Sequence, residues 1–121
     1  MNYELKNIPE RVIKPRDNGI SMIMDKGLSN REVEDMLSVS ENYIDIVKLG
    51  WATSYVTPNL EDKIKIYKEA GIPVYLGGTL FEAFITRNQF EDYIRVLDKF
   101  GISHAEVSDG SIELPHDEKC E

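Results

Sequence analysis

Ile44-Asp-Ile-Val-Lys-Leu-Gly-Trp51 decides how this chain folds. The stretch reads as a buried strand that ends in a lysine. A hydrophobic strand seldom carries a charge without a task, because burying an ammonium costs several kcal/mol unless something pairs with it. The pattern recurs on either side. Ile20-Ser-Met-Ile-Met-Asp25 ends in an aspartate, and His104-Ala-Glu-Val-Ser-Asp109 carries two carboxylates. Each segment is apolar along its length and charged near its exit. Active sites on the C-terminal face of a parallel α/β barrel are built this way.

The intervals between these segments carry helix signals. Ser29 caps a helix with Glu32 as its reciprocal partner, and Val33, Met36 and Leu37 follow at helical spacing. Asn59 opens a second helix, with Leu60, Ile64, Tyr67 and Lys68 as its stripe, stopped by Gly71 and Pro73. Val74-Tyr-Leu-Gly77 is the third strand. Thr79 with Glu82 predicts another capping box, opening a helix at Leu80. A longer helix spans about Gln89 to Phe100, with Phe90, Tyr93, Ile94 and Leu97 on one stripe, and Gly101 ends it. Asp117-Glu-Lys-Cys-Glu121 reads as the first turn of one more helix.

Strands are therefore expected at 19–25, 44–49, 74–77 and 104–108, starting 24, 30 and 31 residues apart (Ile20, Ile44, Val74, Ala105). Strands alternating with helices imply an α/β fold with a parallel sheet and right-handed crossovers. A (β/α)8 barrel takes roughly 250 residues. The 121 residues present hold about four βα units, a half-barrel. A compact doubly wound sheet is the structural alternative. The whole chain, 1–121, forms one domain, with an irregular lead-in over residues 1–18 containing Pro9 and Pro15.

The net charge of −8 argues against nucleic acid and anionic membranes as partners. It leaves room for a small anionic ligand in a local cationic pocket. One cysteine, Cys120, precludes an internal disulfide and suits a reducing cytoplasm. The sequence contains no apolar run near the ~20 residues of a membrane span.

Strand parity gathers the charges. Lys48 shares a face with Ile44 and Ile46, Glu106 with His104 and Ser108, and Asp25 with Ser21 and Ile23. If all three point into one barrel mouth, a cation meets two carboxylates there. Lys48 then binds an anion or acts as a general acid, or else forms a structural ion pair with Glu106 or Asp45. Asp25 and Glu106 suit Mg²⁺, a hard cation preferring carboxylate oxygens, although Asp25 before Lys26-Gly27 also fits an ordinary turn. Gly77-Gly78-Thr79 lies between a strand and a helix, where glycines admit a ligand and the helix N-terminus favours an anion; taken alone, a tight turn with a capped helix is the plainer account. Arg16 and His104 lie at the opposite, stability end, and His116 in a polar tail.

Several blocks together resemble phosphosulfolactate synthase. They are Lys14-Pro-Arg16, Gly19-Ile-Ser-Met-Ile-Met-Asp-Lys-Gly-Leu28, Tyr43-Ile-Asp-Ile-Val-Lys-Leu-Gly-Trp51, Gly71-Ile-Pro-Val-Tyr-Leu-Gly-Gly-Thr-Leu-Phe-Glu82 and Val107-Ser-Asp-Gly-Ser111. The likeness runs from about residue 12 onward. It implies a (β/α)8 barrel and a Mg²⁺-dependent addition of sulfite to phosphoenolpyruvate. The product is (2R)-phospho-3-sulfolactate, in the first step of one route to coenzyme M, and the enzyme is a carbon–sulfur lyase of the cytoplasm. In this resemblance Asp25 and Glu106 serve the metal, Lys48 binds the anion or delivers a proton, and Gly77, Gly78, Thr79 and Ser108 contact the anion. The family's barrel has about twice as many units, so a full mouth needs a complementing second half or another copy. Two alternatives stay open: a non-catalytic heat-stress-associated relative, and a barrel enzyme acting on another phosphorylated enol or keto acid.

Overall fold

The computed structural model describes residues 2–10, 12–110 and 113. Strands and helices follow one another as β1 (Met22–Asp25), α1 (Asn30–Ser40), β2 (Ile46–Leu49), α2 (Thr53–Val56), α3 (Leu60–Glu69), β3 (Val74–Leu76), α4 (Gly78–Ile85), α5 (Phe90–Phe100) and β4 (His104–Ala105). Among the described residues the three strand pairings are parallel, and the order in the sheet is that of the sequence, β1-β2-β3-β4. A doubly wound sheet reverses its order at a switch point; among the described residues this one does not. Right-handed crossovers between sequential parallel neighbours place the connecting helices on one face.

The register divides the strand residues between two faces. Met24 lies beside Lys48, Lys48 beside Tyr75, and Tyr75 beside His104. Asp25 lies beside Leu49, and Leu49 beside Leu76. Val47, Leu49, Val74 and Leu76 are buried against Val33, Leu37, Leu60, Ile64, Tyr67, Leu80, Phe81 and Tyr93 from the helices. That helix-covered face is the core. The opposite face is open: Met22 and Met24 are 47% and 45% exposed. Large apolar side chains left bare on a sheet face mark a surface built to be covered.

The strands are shorter than the apolar runs. Gly19, at φ +62, breaks the approach to β1. A 3-10 turn at Glu41–Tyr43 delays β2 to Ile46. The expected strand at 104–108 keeps only His104–Ala105, which pair with Tyr75 and Leu76 of β3.

Helix starts are correct where local chemistry is unopposed. Ser29 caps α1, with Glu32 accepting from the Ser29 backbone N–H in return. Gly71, at φ +73, ends the run of α3, as only a residue without Cβ does cheaply. The capping box expected of Thr79 and Glu82 is absent. Helix α4 starts earlier, with Gly77 at its cap, and the Glu82 carboxylate is engaged by Ser108 instead. The stripe on α5 is only half covered: Tyr93 is buried, whereas Phe90 and Ile94 are 44% and 40% exposed. Helix α2 escapes sequence reading because four residues are too few to show a period. The segment 117–121 lies outside the described residues.

The lead-in has no helix or strand among its described residues. It is tied down by Arg16, whose guanidinium donates to the Asp45 carboxylate, the Asn42 carbonyl and the Val12 carbonyl. The Ser21 backbone N–H, and then Arg16, hold the Asp45 carboxyl below the usual carboxylate range despite some burial. Asp45 is therefore committed at the amino end of β2 and is not the partner of Lys48. Among the described residues, no helix is long and apolar enough to cross a membrane.

Candidate active site

Asp25 and Lys48 occupy neighbouring strands but opposite faces, as the register Asp25–Leu49 and Met24–Lys48 requires. The parity expectation that placed both in one mouth is thereby corrected. Numbering parity predicts a shared face within a strand; between strands the register decides, and here it is offset by one.

On the helix side, Asp25 is 1% exposed and fully employed. Lys63 of α3 reaches both of its oxygens, at 2.9 and 2.8 Å. Oδ1 also accepts the backbone N–H groups of Gly27 and Leu28, each at 2.9 Å, and Oδ2 accepts the Tyr67 hydroxyl at 2.8 Å. Burial acts to raise the Asp25 pKa, but the donors led by Lys63 outweigh it and hold the carboxyl below its ordinary range. Burial, and then the Asp25 carboxylate, push the Tyr67 hydroxyl upward, so it stays a donor. With its lone pairs spoken for and no path to the open face, Asp25 is a keystone between β1, its following turn and α3. It does not share a face with Glu106.

On the open face, Lys48 Nζ meets Glu106 Oε2 at 2.8 Å. The pair joins β2 to the segment just past β4, spanning β3 at the carboxyl ends of the strands. Glycine makes this close approach workable. A Cβ on Gly77 would lie 2.9 Å from Lys48 Cε, and one on Gly78 would lie 2.6 Å from Glu106 Oε1 and against Ser108 Oγ. Ser108 Oγ in turn donates to Glu82 Oε2 at 2.8 Å. Thus Lys48, Glu106, Gly77, Gly78 and Ser108 are brought together. Asp25 is not among them. Thr79 lies on the first turn of α4 and lines a cleft of about 400 Å³ with Lys48, Gly77 and Gly78. Among the described residues, no three His, Cys, Asp or Glu side chains gather as a metal cage.

Sequence reading missed four participants. Glu82 is 3% exposed and accepts from Ser108, yet its spacing from Thr79 suggested a cap. Lys63 falls at the i+3 position of the stripe Leu60, Lys63, Ile64, Tyr67; a lysine there demands a buried carboxylate, a signal the sequence did contain. Tyr93 packs edge-on against Phe81, with ring centroids 5.6 Å apart. Its buried hydroxyl has no partner among the described residues. Burial, and then the charge of Glu106, raise its pKa. Ala52, between Trp51 and α2, holds a left-handed backbone at φ 54. Such a conformation costs a non-glycine residue of order 1 kcal/mol and persists where surroundings enforce it.

The crowding over Gly78 gives a direct prediction. Gly78→Ala is expected to displace the movable Glu106 carboxylate from Lys48 and, because Ser108 Cβ at 2.9 Å yields only with its backbone, to shift the segment after β4 as well, at a cost of roughly 1–3 kcal/mol of stability. Chemical denaturation measures the cost. An unchanged midpoint would show that the helix start has room to spare.

Fold and site together define an α/β protein of parallel strands with a charged cleft at the strands' carboxyl ends. The chain belongs to the phosphosulfolactate synthase family: the family model for (2R)-phospho-3-sulfolactate synthase matches residues 9–121. It is 36% identical over 120 residues to phosphosulfolactate synthase of Bacillus subtilis, covering 99% of this chain and 48% of that protein. The enzymes of the same name from Methanocaldococcus jannaschii and Methanothermobacter thermautotrophicus are 42% identical over 103 residues and 34% identical over 114. Those matches cover 84% and 93% of this chain, and 41% and 44% of the relatives. The chain therefore spans about half the length of the curated relatives it matches.

Proposed function

We propose that this chain supplies four consecutive βα units of a (β/α)8 barrel that adds sulfite to phosphoenolpyruvate, giving (2R)-phospho-3-sulfolactate. The observation that carries the reading is the Lys48–Glu106 pair, held beside Gly77 and Gly78 at the carboxyl ends of the strands. Sequential parallel order and a bare second face support the barrel. The reading makes the protein a carbon–sulfur lyase of the cytoplasm, serving coenzyme M synthesis.

The chemistry assigns each group a task. Sulfite's sulfur attacks the methylene carbon of phosphoenolpyruvate, forming the C–S bond. The electron pair of the C=C bond moves toward the substrate carboxylate, giving an enediolate. A proton then arrives at the carbon that bears the phosphate. In this reading Lys48 stabilises the enediolate and delivers that proton. Gly77, Gly78 and Thr79 present the first turn of α4 to an anionic group, with Ser108 beside Glu106. Glu106 is the carboxylate of this cleft suited to Mg²⁺, which when bound together with substrate oxygens would neutralise charge growing on the enediolate.

The test pairs the chain, fused or in trans, with the remaining segment of the Bacillus subtilis relative. Phosphoenolpyruvate, sulfite and Mg²⁺ are supplied, and loss of the enol absorbance is followed. Sulfite-dependent loss is expected. A folded complex that consumes no phosphoenolpyruvate in the presence of sulfite would overturn the assignment.

A further inference from the structure

We infer that Lys26 is a second cation of the cleft, forming with Lys48 a two-lysine cradle for the dianionic phosphate group of the substrate. The inference rests on the reading above for the identity of that substrate. Lys26 follows the last residue of β1, and both lysines line the same cleft of about 400 Å³, with Trp51, Thr53, Gly77 and Gly78.

Two glycines shape the cradle. The Lys48 stem runs over Gly77, where a Cβ would lie 2.9 Å from its Cε. The Lys26 stem runs over Gly50, where a Cβ would lie 3.2 Å from its Cγ. Each lysine thus crosses the glycine at the carboxyl end of the adjacent strand. Gly50 is itself fixed, its N–H donating to the Asp25 carbonyl at 2.8 Å.

The turn that carries Lys26 is equally fixed. Asp25 Oδ1 accepts from the N–H groups of Gly27 and Leu28, and Gly27 adopts φ +126. Asp25 is therefore a positioning residue for Lys26, although it faces away from the cleft.

Pairing leaves one ammonium open to an anion. The Lys48 ammonium is paired with Glu106, whereas Lys26 has no ion pair or hydrogen bond among the described residues. Glu82, held by Ser108 beside Glu106, adds a second carboxylate, so the two lysines bring the region to near neutrality in a chain of net charge −8. The uncapped first turn of α4 adds amide donors at its edge.

Binding to the chain is measured by calorimetric titration, with amide spectra to check the fold, for phosphoenolpyruvate, inorganic phosphate and pyruvate. Lys26→Gln is expected to weaken phosphoenolpyruvate and phosphate about tenfold or more, as loss of a charge-assisted contact does. Pyruvate should change little, and Lys26→Arg should restore most of the affinity. Equal phosphoenolpyruvate affinity in the wild type and Lys26→Gln would overturn the cradle and leave the proposed reaction standing. Lys26-dependent phosphate binding without any sulfite-dependent turnover would keep the cradle and defeat the reaction. A wild type that binds neither phosphate-bearing probe would overturn the cradle outright.

Discussion

Asp25→Ala is expected to destabilise the protein by roughly 4–5 kcal/mol, against a total of about 5–15 for an ordinary domain. The substitution strands the Lys63 ammonium, whose side chain has no solvent exposure. It also orphans the N–H groups of Gly27 and Leu28 and the Tyr67 hydroxyl. Lys63→Ala should cost less, about 3 kcal/mol, because the carboxylate keeps three donors. Breaking Lys48–Glu106 should cost at most about 1 kcal/mol, since both side chains keep contact with solvent, 17% and 37% exposed. Urea unfolding of the variants ranks them. If Asp25→Ala unfolds within about 1 kcal/mol of wild type, the carboxylate is not the keystone described here and a functional role regains ground.

The same cluster predicts the acid limb of stability. The folded-state pKa of Asp25 is depressed, so the unfolded chain takes up its proton first as the pH falls. The stabilisation is complete above the ordinary carboxylate range, near pH 4, and is lost as the pH drops through the lower folded-state value. In Asp25→Asn that segment of the pH dependence should flatten.

Much of this was legible in the residues. The strand signal of Ile44–Trp51, the capping box at Ser29 and the stop at Gly71 are local, so parallel strands alternating with helices could be read directly. Lys48 and Glu106 were legible as charges in apolar segments, and they do meet. The face of Asp25 was not legible. Parity within a strand says nothing about its offset from the next, and that offset places Asp25 among the helices. Lys63 was legible by its place on the stripe with Leu60, Ile64 and Tyr67, but its partner was not, because the aspartate lies on a strand 38 positions away. Glu82 shows local chemistry overridden, since a long-range donor, Ser108, takes the carboxylate that a capping box would have used.

Lys48→Ala carries the largest expected functional effect. In the complemented enzyme, sulfite-dependent consumption of phosphoenolpyruvate should fall by roughly 10²–10³-fold, the loss seen when one preorganised stabilising donor is removed. The fold should survive, because Lys48 is half-buried on the open face and lies outside the core cluster. Lys48→Arg separates its two tasks. A guanidinium retains positive charge for the anion but does not release a proton near neutral pH. Proton delivery by Lys48 therefore predicts a KM near wild type with a depressed kcat, whereas pure anion binding predicts recovery of both. Should Lys48→Ala instead unfold the protein, the pair with Glu106 is a structural tie between β2 and the end of β4, and the chemistry assigned to Lys48 falls with it.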